Sequence, residues 1–224
     1  MARKQVAVIG LGRFGTAVAT TLYQMGHDVL AIDTDERAVQ EVAGQVTYPV
    51  KADATSEAVL RELGVPNFDA AVVAIGSDIQ ASVMATVLLR SLGVPYIAAC
   101  AQNAIHGKTL ERVGAHRVVY PEQETGYRLA HTLFAPQVRE YMELSGSFGI
   151  SKVLLPKGWA HLTLKETGLA GPRDKYGLAV LAIRRGRDLI FLPSEEERLR
   201  EGDLLVVAGP DDLLEKFQGP TPPP

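Results

Sequence analysis

The sequence predicts an α/β fold: a Rossmann-type, doubly wound parallel sheet followed by a small α+β domain. Three observations carry this expectation. From residue 5 to residue 133 short apolar runs alternate with helical stretches, the pattern of strands joined by crossover helices. The glycine-rich turn Gly10-Leu11-Gly12-Arg13-Phe14-Gly15 stands between the first apolar run and the first helical stretch, the context in which such a turn binds phosphate. Beyond Ala135-Pro136 the alternation stops, and new strand signals begin only after Gly149.

Taken in order, strands are expected at 6–10, 29–33, 48–51, 70–76, 96–100 and 117–120. Val29-Leu30-Ala31-Ile32 and Val72-Val73-Ala74-Ile75 are apolar at every position, as strands covered by helices on both faces must be. The helices between them carry one apolar stripe each, Phe14, Val18, Leu22 and Met25 in the first and Ile79, Val83 and Val87 in the fourth, which assigns those residues to the core. The Rossmann domain is placed at 1–134 and a connector at 135–149. The small α+β domain follows at 150–218, with strands at 151–155, 179–183, 189–192 and 204–208, a hairpin about Arg185-Gly186-Arg187 and a closing helix at 211–217. Residues 219–224 are expected to be a disordered tail.

Composition narrows the function. The 224 residues are 46% hydrophobic, enough to build cores for two domains. The 23 Lys and Arg against 26 Asp and Glu leave a formal charge of −3, without the basic excess that a nucleic-acid partner requires. Met1-Ala-Arg-Lys-Gln begins like a signal peptide, but the apolar run 6–9 stops at Gly10 and meets Arg13, so no export signal is expected. No stretch approaches the roughly 18 to 20 apolar residues that span a bilayer, so a membrane role would go through a partner. The single cysteine, Cys100, precludes an internal disulfide and the usual structural zinc sites, and it suits a reducing cytosol.

Each glycine of the loop has a task. Gly10 permits the tight turn, Gly12 lets a phosphate approach the backbone, and Gly15 lets the helix sit close on its strand. The amides from Gly12 to Gly15, with Arg13 and Phe14 between them, then meet the anion at a helix N-terminus. Asp33 lies twenty-one residues after Gly12, at the end of the second strand with Thr34 beside it, where a carboxylate accepts from ribose hydroxyls. An adenosine nucleotide site is therefore expected. Asp33, Asp35 and Glu36 would repel a 2′-phosphate, which disfavours NADP. Arg13 either serves a third phosphate, favouring ATP, or is a solvated arginine at a helix start. Asp53-Ala54-Thr55 and Ala74-Ile75-Gly76-Ser77-Asp78 follow the third and fourth strands, at the carboxyl edge where ligands bind. Asp53 either accepts from an adenine amino group or caps the next helix, and Gly76 lets the nucleotide pass over backbone.

A hydride-transfer enzyme needs a positioned acid or base. His27, His106, His116, His131 and His161 are read as surface or helix-end residues, Tyr127 and Lys108 form no Tyr-x-x-x-Lys pair, and Cys100 is read as packing inside a strand. Two readings rival a binding protein without catalysis: a small NAD-dependent oxidoreductase and an NADH redox sensor.

The run Val8-Ile-Gly-Leu-Gly-Arg-Phe-Gly, with Asp33, Ala52-Asp-Ala-Thr, Ala74-Ile-Gly-Ser-Asp-Ile-Gln-Ala-Ser, Ala101-Gln-Asn, Gly114-Ala-His-Arg and Tyr120-Pro-Glu, resembles the RCK (KTN) regulators of potassium transport. The likeness is to the TrkA-like cytosolic subunits of Ktr uptake systems. Lys175-Tyr-Gly, the hairpin and Glu201-Gly-Asp-Leu-Leu-Val-Val-Ala-Gly resemble that family's C-terminal domain. The resemblance implies homodimers assembled into an octameric ring, held at the inner face of the membrane by a potassium-translocating subunit and reshaped by exchange of ATP and ADP. It implies nucleotide contacts at the loop, Asp33, Asp53, Ala54 and Ala74 to Gly76, with Arg13 reaching the terminal phosphate of ATP held by a neighbouring subunit. It also places a cation (Na, Mg or Ca) at Glu122, which by itself reads as an acid at a helix start. Where relatives often carry a basic residue this chain has Cys100, which removes a phosphate partner. Some relatives bind cyclic di-AMP in the small domain, at positions corresponding here to Arg173, Lys175 and Pro193.

Overall fold

The computed structural model describes residues 2–133, 137–156, 158–169 and 177–216. The chain divides into two compact units, Met1–Glu122 and Gln123–Pro224. The expected tail, Arg173, Lys175 and the start of the expected connector lie outside the described residues.

The N-terminal unit holds a six-stranded parallel sheet of β1 (Gln5–Ile9), β2 (Asp28–Asp33), β3 (Tyr48–Lys51), β4 (Ala70–Val73), β5 (Ile97–Cys100) and β6 (Arg117–Val119) in the order β3-β2-β1-β4-β5-β6. This is the doubly wound order of a Rossmann sheet. Alternation along the strands divides its core between two faces. Val6 and Val8 of β1 with Val29 and Ala31 of β2 pack against Ala19 of α1 (Arg13–Gln24) and Val39 of α2 (Glu36–Glu41). Ala7, Ile9, Leu30 and Ile32 point the other way, toward Leu60 of α3 (Glu57–Glu62), Ala85 and Leu89 of α4 (Ile79–Ser91) and Leu110 of α5 (Ala104–Val113).

Two helical faces differ from the expectation. In α4 the buried residues are Ser82, Ala85, Thr86 and Leu89, whereas Ile79 and Val87 are exposed. Small side chains let this helix approach the sheet closely, and the Thr86 hydroxyl is satisfied by donating to the Ser82 carbonyl at 2.8 Å. In α1 the buried positions are Gly15 and Ala19, and Met25 lies just past the helix end in solvent. Val18 and Leu22 of α1 and Val83 of α4 pack half-buried against the core as expected, so only the ends of each expected stripe turn outward, and the closest approach to the sheet is made by small residues.

The C-terminal unit is built on an antiparallel sheet of β7 (Val138–Ser145), β8 (Phe148–Leu154), β9 (Ala179–Arg185), β10 (Asp188–Phe191) and β11 (Leu204–Pro210), ordered β10-β9-β11-β8-β7. Strand β7 occupies the segment expected to be a connector and pairs with β8 through a turn at Gly146. The helix α6 (Pro121–Leu133) crosses the division between the units, so the boundary falls inside a helix, before the expected junction at 134 and 135. The β9–β10 hairpin closes through Gly186 and Arg187, with positive φ only at Gly186, as a type II′ turn requires. A short helix α7 (Leu164–Thr167), unforeseen in the sequence, is held by a capping box in which Thr163 and Glu166 exchange hydrogen bonds of 3.2 and 2.7 Å. The helix α8 (Asp211–Lys216) closes the unit. Among the described residues no helix is long and apolar enough to cross a membrane.

Candidate nucleotide-binding cleft

A cleft of about 1000 Å³ opens at the carboxyl edge of the parallel sheet. Its walls are the residues that follow the strands: Gly10, Gly12, Arg13 and Phe14 after β1; Asp33 and Thr34 at β2; Ala52 to Thr55 after β3; Ala74 to Asp78 after β4; and Cys100 to Gln102 at β5. Pro121 and Glu122, the first residues of α6, complete it.

The three loop glycines do different things. Gly10 has φ +93°, and a Cβ there would come within 2.9 Å of the Ala74 carbonyl group. A Cβ on Gly15 would overlap the Gly10 carbonyl oxygen at 1.8 Å. Both are glycine because the chain packs on itself. Gly12 is different: its φ of −65° suits any residue, and a Cβ there would meet nothing within 4 Å. The space beside Gly12 belongs to the cleft. Gly12 is also the N-cap of α1, with no side-chain cap and no acidic residue in the first turn, so nothing within α1 itself caps the leading amides or offsets the positive end of the helix at the cleft.

Asp33 anchors this loop. One carboxylate oxygen accepts from the Leu11 amide at 2.6 Å and the other from the Asp35 amide at 2.8 Å, which ties the end of β2 to the phosphate turn. Asp53 is not a helix cap, since Ser56 occupies that place at α3. Instead Asp53 Oδ1 accepts from both the amide and the hydroxyl of Thr55, at 2.8 and 2.7 Å. These bonds, the hydroxyl's first, hold the Asp53 carboxyl below the usual carboxylate range against the opposing effect of desolvation. Asp78 caps α4 by accepting from the Ala81 amide at 2.9 Å. Asp33, Asp53, Asp78 and Glu122 thus share the lining with Arg13, the one Lys or Arg among its described residues.

The structure brings Gly10, Gly12, Arg13, Phe14, Asp33, Thr34, Asp53, Ala54, Ala74, Ile75, Gly76 and Glu122 to this one cleft, while Gly15 lies buried beneath it. Pro193 is a half-buried residue after β10, in the C-terminal unit. Around Glu122, as elsewhere among the described residues, no group of three His, Cys, Asp or Glu side chains is arranged to hold a metal ion. Cys100 is the last residue of β5, buried as expected and also lining the cleft. Gln102 and Pro121 went unread as lining, although the rule of strand-end positions points to Gln102. His106, read as a surface or helix-end residue, lies in the first turn of α5 but is buried there, 2% exposed. Its Nδ1 accepts from the Gln102 amide at 3.4 Å, and burial lowers its pKa.

Two family matches divide the chain as the fold does: the TrkA-N domain matches residues 6–121 and the TrkA-C domain residues 151–219. Ktr system potassium uptake protein A of Bacillus subtilis (strain 168) is 40% identical over 215 residues, covering 96% of both chains. The protein of the same name from Vibrio alginolyticus is 34% identical over 211 residues, covering 94% of both. Among solved structures, the GsuK RCK domain superposes with a TM-score of 0.65 at 21% identity, over 99% of this chain and 49% of that one. This chain therefore spans about half of the GsuK structure and nearly all of the potassium uptake proteins. The chain belongs to the RCK/TrkA family, as a TrkA-N domain followed by a TrkA-C domain homologous to Ktr potassium-uptake regulators, and by that homology it is a regulatory protein rather than an enzyme.

Proposed function

We propose that the chain is the cytosolic, nucleotide-sensing subunit that gates a membrane potassium-translocating subunit, with ATP and ADP competing for the N-terminal cleft. The observation that carries this reading is the open space at Gly12, set against the uncapped start of α1 and beside Asp33. It occurs in a chain that aligns end to end with potassium uptake proteins. A ligand gates by binding two shapes of an assembly with different affinity, so the proposal includes homodimers built into an octameric ring at the inner face of the membrane. A sheet face of the C-terminal unit supports association. Met142, Phe148 and Leu154 are more than one-third exposed there, and Ile150 and Val206 line a groove of about 960 Å³ between the same face and α6 residues such as Tyr127 and Leu129.

Four carboxylates against one guanidinium favour a ligand of lower charge, which supports a second reading in which ADP and NADH, each a diphosphate, share the cleft. For ATP, a Na, Mg or Ca ion at Glu122, with the nucleotide's own oxygens completing its shell, would offset the acidic lining. Cyclic di-AMP at the small domain rests on the family resemblance, since only Pro193 of its three expected contacts is among the described residues.

Titration calorimetry of the full chain with ATP, ADP and NADH, repeated on Arg13→Ala, tests the reading. Loss of a charge-assisted contact to a third phosphate lowers ATP affinity by roughly tenfold to a hundredfold while leaving ADP nearly unchanged. Equal weakening of ATP and ADP would make Arg13 a general phosphate clamp and remove triphosphate sensing. No binding of any of the three would remove the function.

A further inference from the structure

The order of the strands orders the ligand. Phosphate belongs at the β1–α1 loop and ribose at Asp33, on the end of β2. The next strand outward is β3, and the Ala52 amide donates to the Asp33 carbonyl at 2.9 Å, which sets the residues after β3 directly beside the ribose position. A nucleotide laid from β1 across β2 therefore puts its base at Asp53, Ala54 and Thr55, all of which line the cleft.

At that place the carboxylate is fixed on one side only. Both donors of Thr55 fall on Asp53 Oδ1, at 2.8 Å from the amide and 2.7 Å from the hydroxyl. Oδ2 has no hydrogen-bond partner among the described residues. An ionised carboxylate only accepts, so whatever meets Oδ2 must donate. The 6-position of a purine separates the candidates: adenine carries an amino group there, and guanine and hypoxanthine carry a carbonyl oxygen.

Resting on the adenosine-nucleotide reading of the cleft, we propose that Thr55 is a positioning residue that turns Asp53 so that Oδ2 reads the 6-amino group, making this pair the determinant of adenine over 6-oxopurines. Thr55 itself need not touch the base. Its hydroxyl removes the rotational freedom of Asp53 and occupies the oxygen that would otherwise swing toward the ligand. A base with O6 facing Oδ2 would set two acceptors against each other with no proton between them, and a site built to accept from one group discriminates against the analogue that cannot donate.

The test uses the full chain with ADP, GDP and IDP by titration calorimetry, in the parent, Thr55→Val and Thr55→Ser. The parent is expected to bind ADP at least about tenfold more tightly than IDP or GDP. Thr55→Val, which keeps the amide bond and the shape but loses the hydroxyl, is expected to shrink that ratio by about threefold to tenfold, the worth of one hydrogen bond. Thr55→Ser is expected to restore it. An unchanged ADP-to-IDP ratio in Thr55→Val overturns the positioning role, and a parent that binds IDP as tightly as ADP overturns the base-reading role. If the parent binds no diphosphate, the fault lies in the nucleotide site itself, a result distinct from both.

Discussion

The N-terminal unit buries its sheet on two faces, with the alternating residues of β1 and β2 divided between separate cores, whereas the C-terminal unit gathers its core on one. In β8 Gly149, Ser151 and Val153 are buried, and Phe148 and Leu154 on the other face are exposed. A sheet covered on both sides has only its strand ends to offer a ligand, and the cleft lies there. A sheet covered on one side keeps a face to offer a partner. The two units also secure themselves differently: the first by close backbone approach at glycines, the second by a charged clamp in which Arg185 meets Asp203 through two bonds of 3.0 and 2.9 Å and Glu197 at 3.1 Å.

The largest effect that separates the units is expected at Gly15. A valine there would drive its Cβ into the Gly10 carbonyl, at an expected cost of about 4 kcal/mol or more. Hydrogen exchange should rise throughout β1 to β6 and stay at parent levels in β9 to β11. Exchange rising equally in both sheets would mean that the units fold as one.

A smaller effect in the opposite unit is expected from Arg185→Met. Asp203 is 1% exposed, and removing its cation leaves a buried carboxylate held, among the described residues, only by the Arg200 amide at 2.9 Å, at a cost of about 3 to 5 kcal/mol. Exchange should rise in β9 and β11 while nucleotide affinity is unchanged. A loss of nucleotide affinity in this variant would mean that the cleft depends on the C-terminal sheet.

How far the sequence revealed these units follows the same contrast. The inner parallel strands were legible because apolar runs covered on two faces stand out at any register, the edge strands β3 and β6 followed from the alternation with helices, and the glycine loop marked the cleft because its spacing is tied to a backbone task. Strand β7 was not legible. Its residues Arg139, Glu140 and Glu143 are exposed on an edge strand, and Ala135-Pro136 just before it reads as a break. The Arg185 clamp joins segments 18 and 12 residues apart, and nothing local to Arg185 indicates which acids it meets. Thr163 to Glu166 did carry a readable capping-box spacing, so α7 was missed for its brevity. Within the cleft, Asp33 and Gly12 were found from their spacing, but the tie from Asp33 to the Leu11 amide and the hold of Thr55 on Asp53 depend on side-chain direction, which periodicity does not encode.

The central claim is that the space beside Gly12 is kept for a phosphate and not for the fold, and Gly12→Val tests it most directly. The backbone at Gly12 is extended with negative φ, and a Cβ there meets nothing within 4 Å, so the cost to stability should be no more than that of a poorer N-cap, about 1 kcal/mol, and the protein should still melt cooperatively close to the parent. The same side chain would fill the approach to the α1 amides. Titration calorimetry of this variant should show ATP, ADP and NADH binding reduced by about a hundredfold or more, the loss expected when charged hydrogen bonds are blocked. A Gly12→Val protein that melts like the parent and still binds these nucleotides with parent affinity would contradict the account.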